Sequence, residues 1–109
     1  MATNKKEEFT QKEQDLAAFA KAMAHPARIS ILKVLAQRNE CICGEIVELL
    51  PLAQSTVSQH LKELKNAGLI KGNVEGNTIC YCIDEKAIAK LRDYFANNYA
   101  RLTKKNNCC

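Results

Sequence analysis

Val57, Leu61 and Leu64 recur at spacings of four and three, the signature of a helix buried along one stripe. Gln54, Ser55, Ser58, Gln59 and Lys62 fall on its other faces, and Gly68 stands where a helix needs a residue tolerant of positive φ in order to stop. Just upstream, Gly44 to Leu50 forms a second short amphipathic run, which Pro51 breaks. That leaves room only for a tight turn, and two short helices so joined predict a helix-turn-helix. Downstream, two β-compatible runs, Leu69 to Val74 and Thr78 to Ile83, flank Glu75-Gly76-Asn77 as a hairpin would. On the second run Ile79, Tyr81 and Ile83 alternate with Thr78, Cys80 and Cys82, so the two cysteines share the face opposite an expected Ile/Tyr core face.

Three further helical stripes frame this centre. Phe9, Leu16, Phe19, Ala20 and Met23 trace the first, and Ile29, Leu32, Val34 and Leu35 give the core face of a second, beginning at Pro26 and running to about Arg38. Ile88, Leu91, Phe95, Tyr99 and Leu102 mark a last helix from about Glu85 to Leu102, with Asp84 as its N-cap. The expected fold is mainly α (α+β), a winged helix-turn-helix of about five helices with a two-stranded β-hairpin wing. Residues 1–8 are expected to be a disordered N-terminus, 9–102 a single winged helix-turn-helix DNA-binding domain, and 103–109 a flexible tail carrying cysteines.

Composition narrows the function. A chain of 109 residues holds one domain with one modest core. A net charge of +4 fits a DNA partner, and the scarcity of aromatics argues against a stacking platform for single strands. No apolar run approaches a membrane span and the charged N-terminus lacks a hydrophobic segment, so a cytoplasmic protein with no membrane partner is expected. With two histidines and no paired nucleophile and base, nothing suggests an enzyme, and no phosphate loop or organic cofactor site is visible. Six cysteines in a reducing compartment point to soft-metal or redox chemistry rather than a disulfide framework. They fall in three close pairs: Cys41/Cys43, Cys80/Cys82 and Cys108/Cys109.

The segment Ser55-x-Val57-Ser58-Gln59-His60-Leu61-x-x-Leu64-x-x-Ala67-Gly68-Leu69-Ile70 resembles the recognition segment of the ArsR/SmtB family of metal-responsive winged-helix repressors. His25-Pro26-x-Arg28-x-x-Ile31-Leu32-x-x-Leu35 resembles the family's second helix, and Glu40-Cys41-Ile42-Cys43 its thiolate metal box. The resemblance, closest to the arsenic-responsive branch, spans about Leu16 to Leu102. It implies a homodimer built through the first and last helices, bound to an inverted repeat in double-stranded operator DNA with half-sites ~34–36 Å apart. Gln54, Ser55, Thr56, Ser58, Gln59 and His60 are then the groove residues, while Lys62, Lys65 and Lys71 meet phosphates. His60 has a second reading, a hydrogen bond within the fold. His25 and Arg28 are read as structural, a cap or packing residue and an ion-pair partner. The wing, with Lys71, Asn73 and Asn77, is expected to touch DNA weakly.

The resemblance also places the Cys41/Cys43 box at the start of the helix before the recognition helix, where the helix dipole favours thiolates. The implied inducer is arsenite or antimonite, with zinc, cadmium or lead as other candidates. The arsenic-responsive pattern Cys-x-Cys-x-x-Cys is incomplete, because Ile46 stands at its third cysteine position, and residues 1–40 hold no cysteine. Cys108 and Cys109 are therefore the preferred further ligands; Cys80 and Cys82 are read as inert strand residues or accessory thiols. The last helix lacks histidine and its Asp93 lacks partners, against a borderline-metal site there. Open alternatives are a redox- or sulfide-responsive repressor, a thiol metal carrier, and a constitutive DNA-binding protein with incidental cysteines.

Overall fold

Thr10 opens the first helix: its hydroxyl accepts from the Glu13 amide at 3.1 Å while the Glu13 carboxylate accepts from the Thr10 amide at 2.9 Å, a reciprocal capping box. The computed structural model describes residues 8–102. The expectations for 1–7 and for 103–109, Cys108 and Cys109 among them, lie outside the described residues. Helix α1 (Gln11–Met23) is followed by α2 (Pro26–Arg38), α3 (Gln54–Asn66) and α4 (Glu85–Tyr99). Strands β1 (Ile42–Cys43), β2 (Ile70–Glu75) and β3 (Thr78–Ile83) form one antiparallel sheet in the order β1-β3-β2.

The architecture is the winged helix-turn-helix, with three departures from the expected layout. The run after Gly44 is a five-residue 3-10 helix, Glu45–Leu49, so the five helices named here among the described residues are four α-helices and this one. The sheet has three strands rather than two, because Ile42 and Cys43 pair with Tyr81 and Cys80 on the wing. The last helix ends at Tyr99 rather than Leu102, where the Leu102 amide closes a turn on the Tyr99 carbonyl at 3.2 Å.

The core lies where all these elements meet. Leu16, Phe19 and Ala22 of α1, Ile31, Leu32 and Leu35 of α2, and Val57, Leu61 and Leu64 of α3 close over Ile42, Ile46, Leu69 and Ile70. Each such aliphatic side chain contributes roughly 1.5–3 kcal/mol of burial free energy. The phase of α2 differs from the expected one: Ile31 is fully buried and Ile29 is 47% exposed, since Ile31, Leu32 and Leu35 form the inward face. Phe9 and Ala20, also assigned inward, are exposed. On β3, Tyr81 and Ile83 pack against the core as expected, but Ile79 reaches solvent near the wing tip and Cys80 is buried at 3% exposure.

Helix α3 stops by backbone geometry. The Leu69 amide donates to the Leu64 carbonyl at 3.1 Å and the Gly68 amide to Lys65 at 3.0 Å, with Gly68 at φ 87°. This is a Schellman arrangement, and its two flanking apolar residues, Leu64 and Leu69, are both fully buried.

Candidate nucleic-acid interface and thiol cluster

Helix α3 presents Gln54, Ser55, Thr56, Ser58, Gln59, Lys62 and Lys65 to solvent while Val57, His60, Leu61 and Leu64 point inward. Ala53 precedes it with no capping side chain, unlike Thr10, His25 and Asp84 before the other helices, so its first-turn amides keep their affinity for an anion. Lys65 is steadied by the wing. A Cβ on Gly72 would lie 3.4 Å from the Lys65 Cδ and Cε atoms and 3.3 Å from the Tyr81 ring, so the glycine makes room for the lysine stem between α3 and β2. Lys71 is exposed on β2.

His60 does not belong to this outer face. It is 8% exposed, its ring centroid lies 4.4 Å from that of His25, and its Nδ1 accepts from Arg28 Nε at 3.1 Å. Arg28 also donates to the Ala22 carbonyl at 3.1 Å. His60 is therefore withdrawn from the groove set; it ties α3 to the end of α1 and the start of α2. Burial lowers its pKa from the usual 6.5, with further depression from neighbouring His25 and Arg28, so the ring is held neutral as an acceptor. Among the described residues Arg28 makes these two hydrogen bonds in place of the expected ion pair. His25 is the cap of α2, its Nδ1 accepting from the Ala27 amide at 3.0 Å.

The cysteines are arranged by strand pairing. Cys43 stands opposite Cys80 in the β1–β3 register, and one step further Cys41 meets Cys82. Both pairs are disulfides, with Cα separations of 4.4 Å for Cys41–Cys82 and 3.9 Å for Cys43–Cys80. Because side chains alternate along a strand, all four sulfurs sit on one face, while Ile42 between them is buried at 1% exposure. The Cys80 sulfur lies 3.6 Å from Glu75 Oε2, and the donor atoms of Cys43, Glu75 and Cys80 are within 4.8 Å of one another.

Three expectations are corrected here. The expectation of thiols in place of a disulfide framework gives way, because strand pairing brings four of the six cysteines together as Cys41–Cys82 and Cys43–Cys80. The Cys41/Cys43 box is not the start of an α-helix but an edge strand leading through Gly44 (φ 74°) into the 3-10 helix, so a long helix dipole plays no part in activating its thiols. Cys80 and Cys82 are the cross-strand partners of that box, not inert residues. The available signal was the repeat itself: two Cys-x-Cys segments with apolar Ile42 and Tyr81 at their centres are what a paired ladder requires. Reduced, the ladder supplies four thiols, which meets the demand of a soft ion for three or four.

The model for "Bacterial regulatory protein, arsR family" matches residues 25–71, from the cap of α2 into the wing. An uncharacterized helix-turn-helix transcriptional regulator of Methanocaldococcus jannaschii is 39% identical over 87 residues, 76% of this chain and 97% of that protein. A cadmium resistance transcriptional regulatory protein of Staphylococcus aureus, a CadC homolog, is 32% identical over 88 residues, 80% of this chain and 72% of its own length. Among solved structures, a homodimeric winged helix-turn-helix DNA-binding domain from Mycobacterium bovis, a possible ArsR-family regulator, superposes with a TM-score of 0.62. It shares 29% identity, covering 79% of this chain and 82% of its own.

Proposed function

Because the chain belongs to the arsR family of bacterial regulatory proteins, DNA-binding transcriptional regulators rather than enzymes, we propose that it is a cytoplasmic homodimeric repressor released from its operator by arsenite or antimonite. The observation that carries this reading is the ladder. A trivalent metalloid needs three thiolates; the Cys41/Cys43 box has two, and Cys80 and Cys82 on β3 stand directly across from it. In the reduced protein, three thiols give up their protons as three hydroxyls leave arsenite as water. That is ligand exchange without electron transfer. In this reading the third thiolate is Cys80 or Cys82 of the wing, while Cys108 and Cys109, preferred on sequence, lie outside the described residues. Zinc, cadmium or lead would draw on the same sulfurs.

DNA contact falls to the outer face of α3. Gln54, Ser55, Thr56, Ser58 and Gln59 address base edges in the major groove, and Lys62, Lys65 and Lys71 address phosphates. A second copy covers the apolar face shared by α1 and α4, where Phe9, Phe95, Tyr99 and Leu102 are 45–72% exposed. The paired α3 helices then read an inverted repeat with half-sites ~34–36 Å apart. The ladder touches both DNA-binding parts: β1 runs into the 3-10 helix whose Ile46 is buried in the α3 core, and β3 is half the wing. Rearranging it therefore changes the seat of α3 and the wing together. Reciprocal coupling of ~1–3 kcal/mol would weaken operator binding ~5- to 150-fold.

A second reading uses the same face. The two cross-strand disulfides favour a redox switch in which oxidation of the thiols, rather than ion capture, changes the operator affinity. Fluorescence anisotropy of the reduced protein on DNA from its own promoter separates the two. Release by arsenite, abolished in Cys43→Ser and Cys80→Ser but retained without Cys108 and Cys109, is the expected result. Release by peroxide alone selects the redox switch. Tight metal uptake without any DNA binding indicates a carrier, and binding indifferent to every ligand a constitutive protein.

A further inference from the structure

The two rungs of the ladder stand in different surroundings. Beside Cys41–Cys82 opens a cleft of about 280 Å³ lined by Asn39, Glu40, Lys71 and Glu85 as well as both cysteines. Cys41 is exposed and Cys82 half-buried, so a molecule in the cleft meets the Cys41 sulfur first. Beside Cys43–Cys80 the neighbour is instead the Glu75 carboxylate, 3.6 Å from a Cys80 that is only 3% exposed. We infer that the Cys41–Cys82 rung is a thiol–disulfide exchange site for a zwitterionic amino thiol of low molecular weight, and that it opens before Cys43–Cys80.

Charge and volume select the ligand class. Glu40 and Glu85 offer carboxylates to an ammonium group, and Lys71 offers its ammonium to a carboxylate. The cleft falls just below the ~300–1,000 Å³ range of drug-sized ligand pockets, which suits a ligand as small as an amino acid bearing a thiol. The incoming thiolate attacks the Cys41 sulfur; the Cys41–Cys82 bond breaks, and its electron pair leaves on Cys82 as a thiolate. A second thiolate then attacks the ligand's sulfur in the mixed disulfide and frees Cys41. Two small thiols are oxidised to one small disulfide, and the rung takes up their two electrons and, after protonation, two protons. The same attack on Cys43 would expel a Cys80 thiolate against the Glu75 carboxylate, a like-charge arrangement that disfavours it. This inference rests on neither operator binding nor arsenite.

The test treats the oxidised full chain with free cysteine or with neutral mercaptoethanol, traps thiols by alkylation at intervals, and maps them by peptide mass spectrometry. Rates are normalised to each reagent's rate on a small disulfide. Cysteine is expected to open Cys41–Cys82 first, with its mixed-disulfide adduct trapped on Cys41 and the alkyl label on Cys82. Lys71→Ala and Glu40→Gln should each slow the cysteine reaction about fivefold, the size of one exposed charge pair at contact distance in water, and leave mercaptoethanol unaffected. Opening of Cys43–Cys80 first or in step overturns the inference, as does equal slowing of both reagents or no slowing in either variant.

Discussion

The outer face of α3 and the cysteine ladder, the two surfaces proposed to carry function, are built in opposite ways. Every polar residue proposed for the groove lies within Gln54 to Lys65, one continuous helix, and its exposure follows from helical spacing once the buried stripe is known. The ladder joins residues 41 and 37 positions apart, and no sulfur in it has its partner nearby in the chain. A local surface tolerates changes elsewhere in the fold, whereas a surface made by strand pairing depends on register. That difference predicts separable consequences for variants of the two regions.

The largest effect should come from removing what seats the local surface. Leu64→Ala, at a fully buried position that also closes the Schellman turn, should destabilise the protein by ~2–5 kcal/mol in denaturant melts. Both surfaces would suffer, since Leu64 belongs to the common core. Reducing the ladder is next. Opening the two nested cross-links, which close nearly the same loop across 41 and 37 residues, should lower stability by ~2–4 kcal/mol in total in melts with and without reductant, while the α3 helical signal survives below the transition. Loss of the helix on reduction would break the separation drawn here.

Gln59→Ala should cost ~1–3 kcal/mol in operator binding with little change in melting temperature or in thiol reactivity, because the side chain is exposed and proposed to read a base. An equal loss on unrelated DNA would instead make Gln59 a backbone contact. Gly68→Ala meets nothing within 4 Å, so its expected cost, ~1–2 kcal/mol in a melt, is that of an L residue at φ 87°. The smallest effect is the pH dependence of His60. Its pKa is lowered in the fold by burial, then by His25 and Arg28, so below 6.5 the unfolded chain takes up the proton first. The stability owed to neutral His60 is fully present above about pH 6.5 and is lost as pH falls from there through the depressed folded pKa. Melting temperatures across that window should slope downward toward acid, and the slope should flatten in His60→Gln.

The same contrast explains what could be read in advance. The helix-turn-helix, the hairpin and the Gly68 stop are local patterns, and each appears where spacing and turn chemistry put it. The phase of α2 was harder, because Ile29 and Ile31 are both apolar and only packing decides which faces inward. His60 sits in a polar stretch and would suit a groove, yet Arg28, 32 positions away, supplies the donor that makes its burial tolerable. The ladder escaped for the same reason: β1 is two residues long, too short to announce itself by alternation, and exists as a strand only because β3 is there to pair with it.

The sequence by itself determined the α3 stripe, its polar outer face, the turn before it and the hairpin after it, since helical and strand periods and turn residues act over a few positions. Tertiary structure alone decided that Cys41 and Cys43 meet Cys82 and Cys80, that His60 turns inward to Arg28, and that Lys71 and Glu85 share a cleft with a disulfide. Those are contacts between distant segments, set by register and by the core that Ile42, Leu64 and Leu69 share.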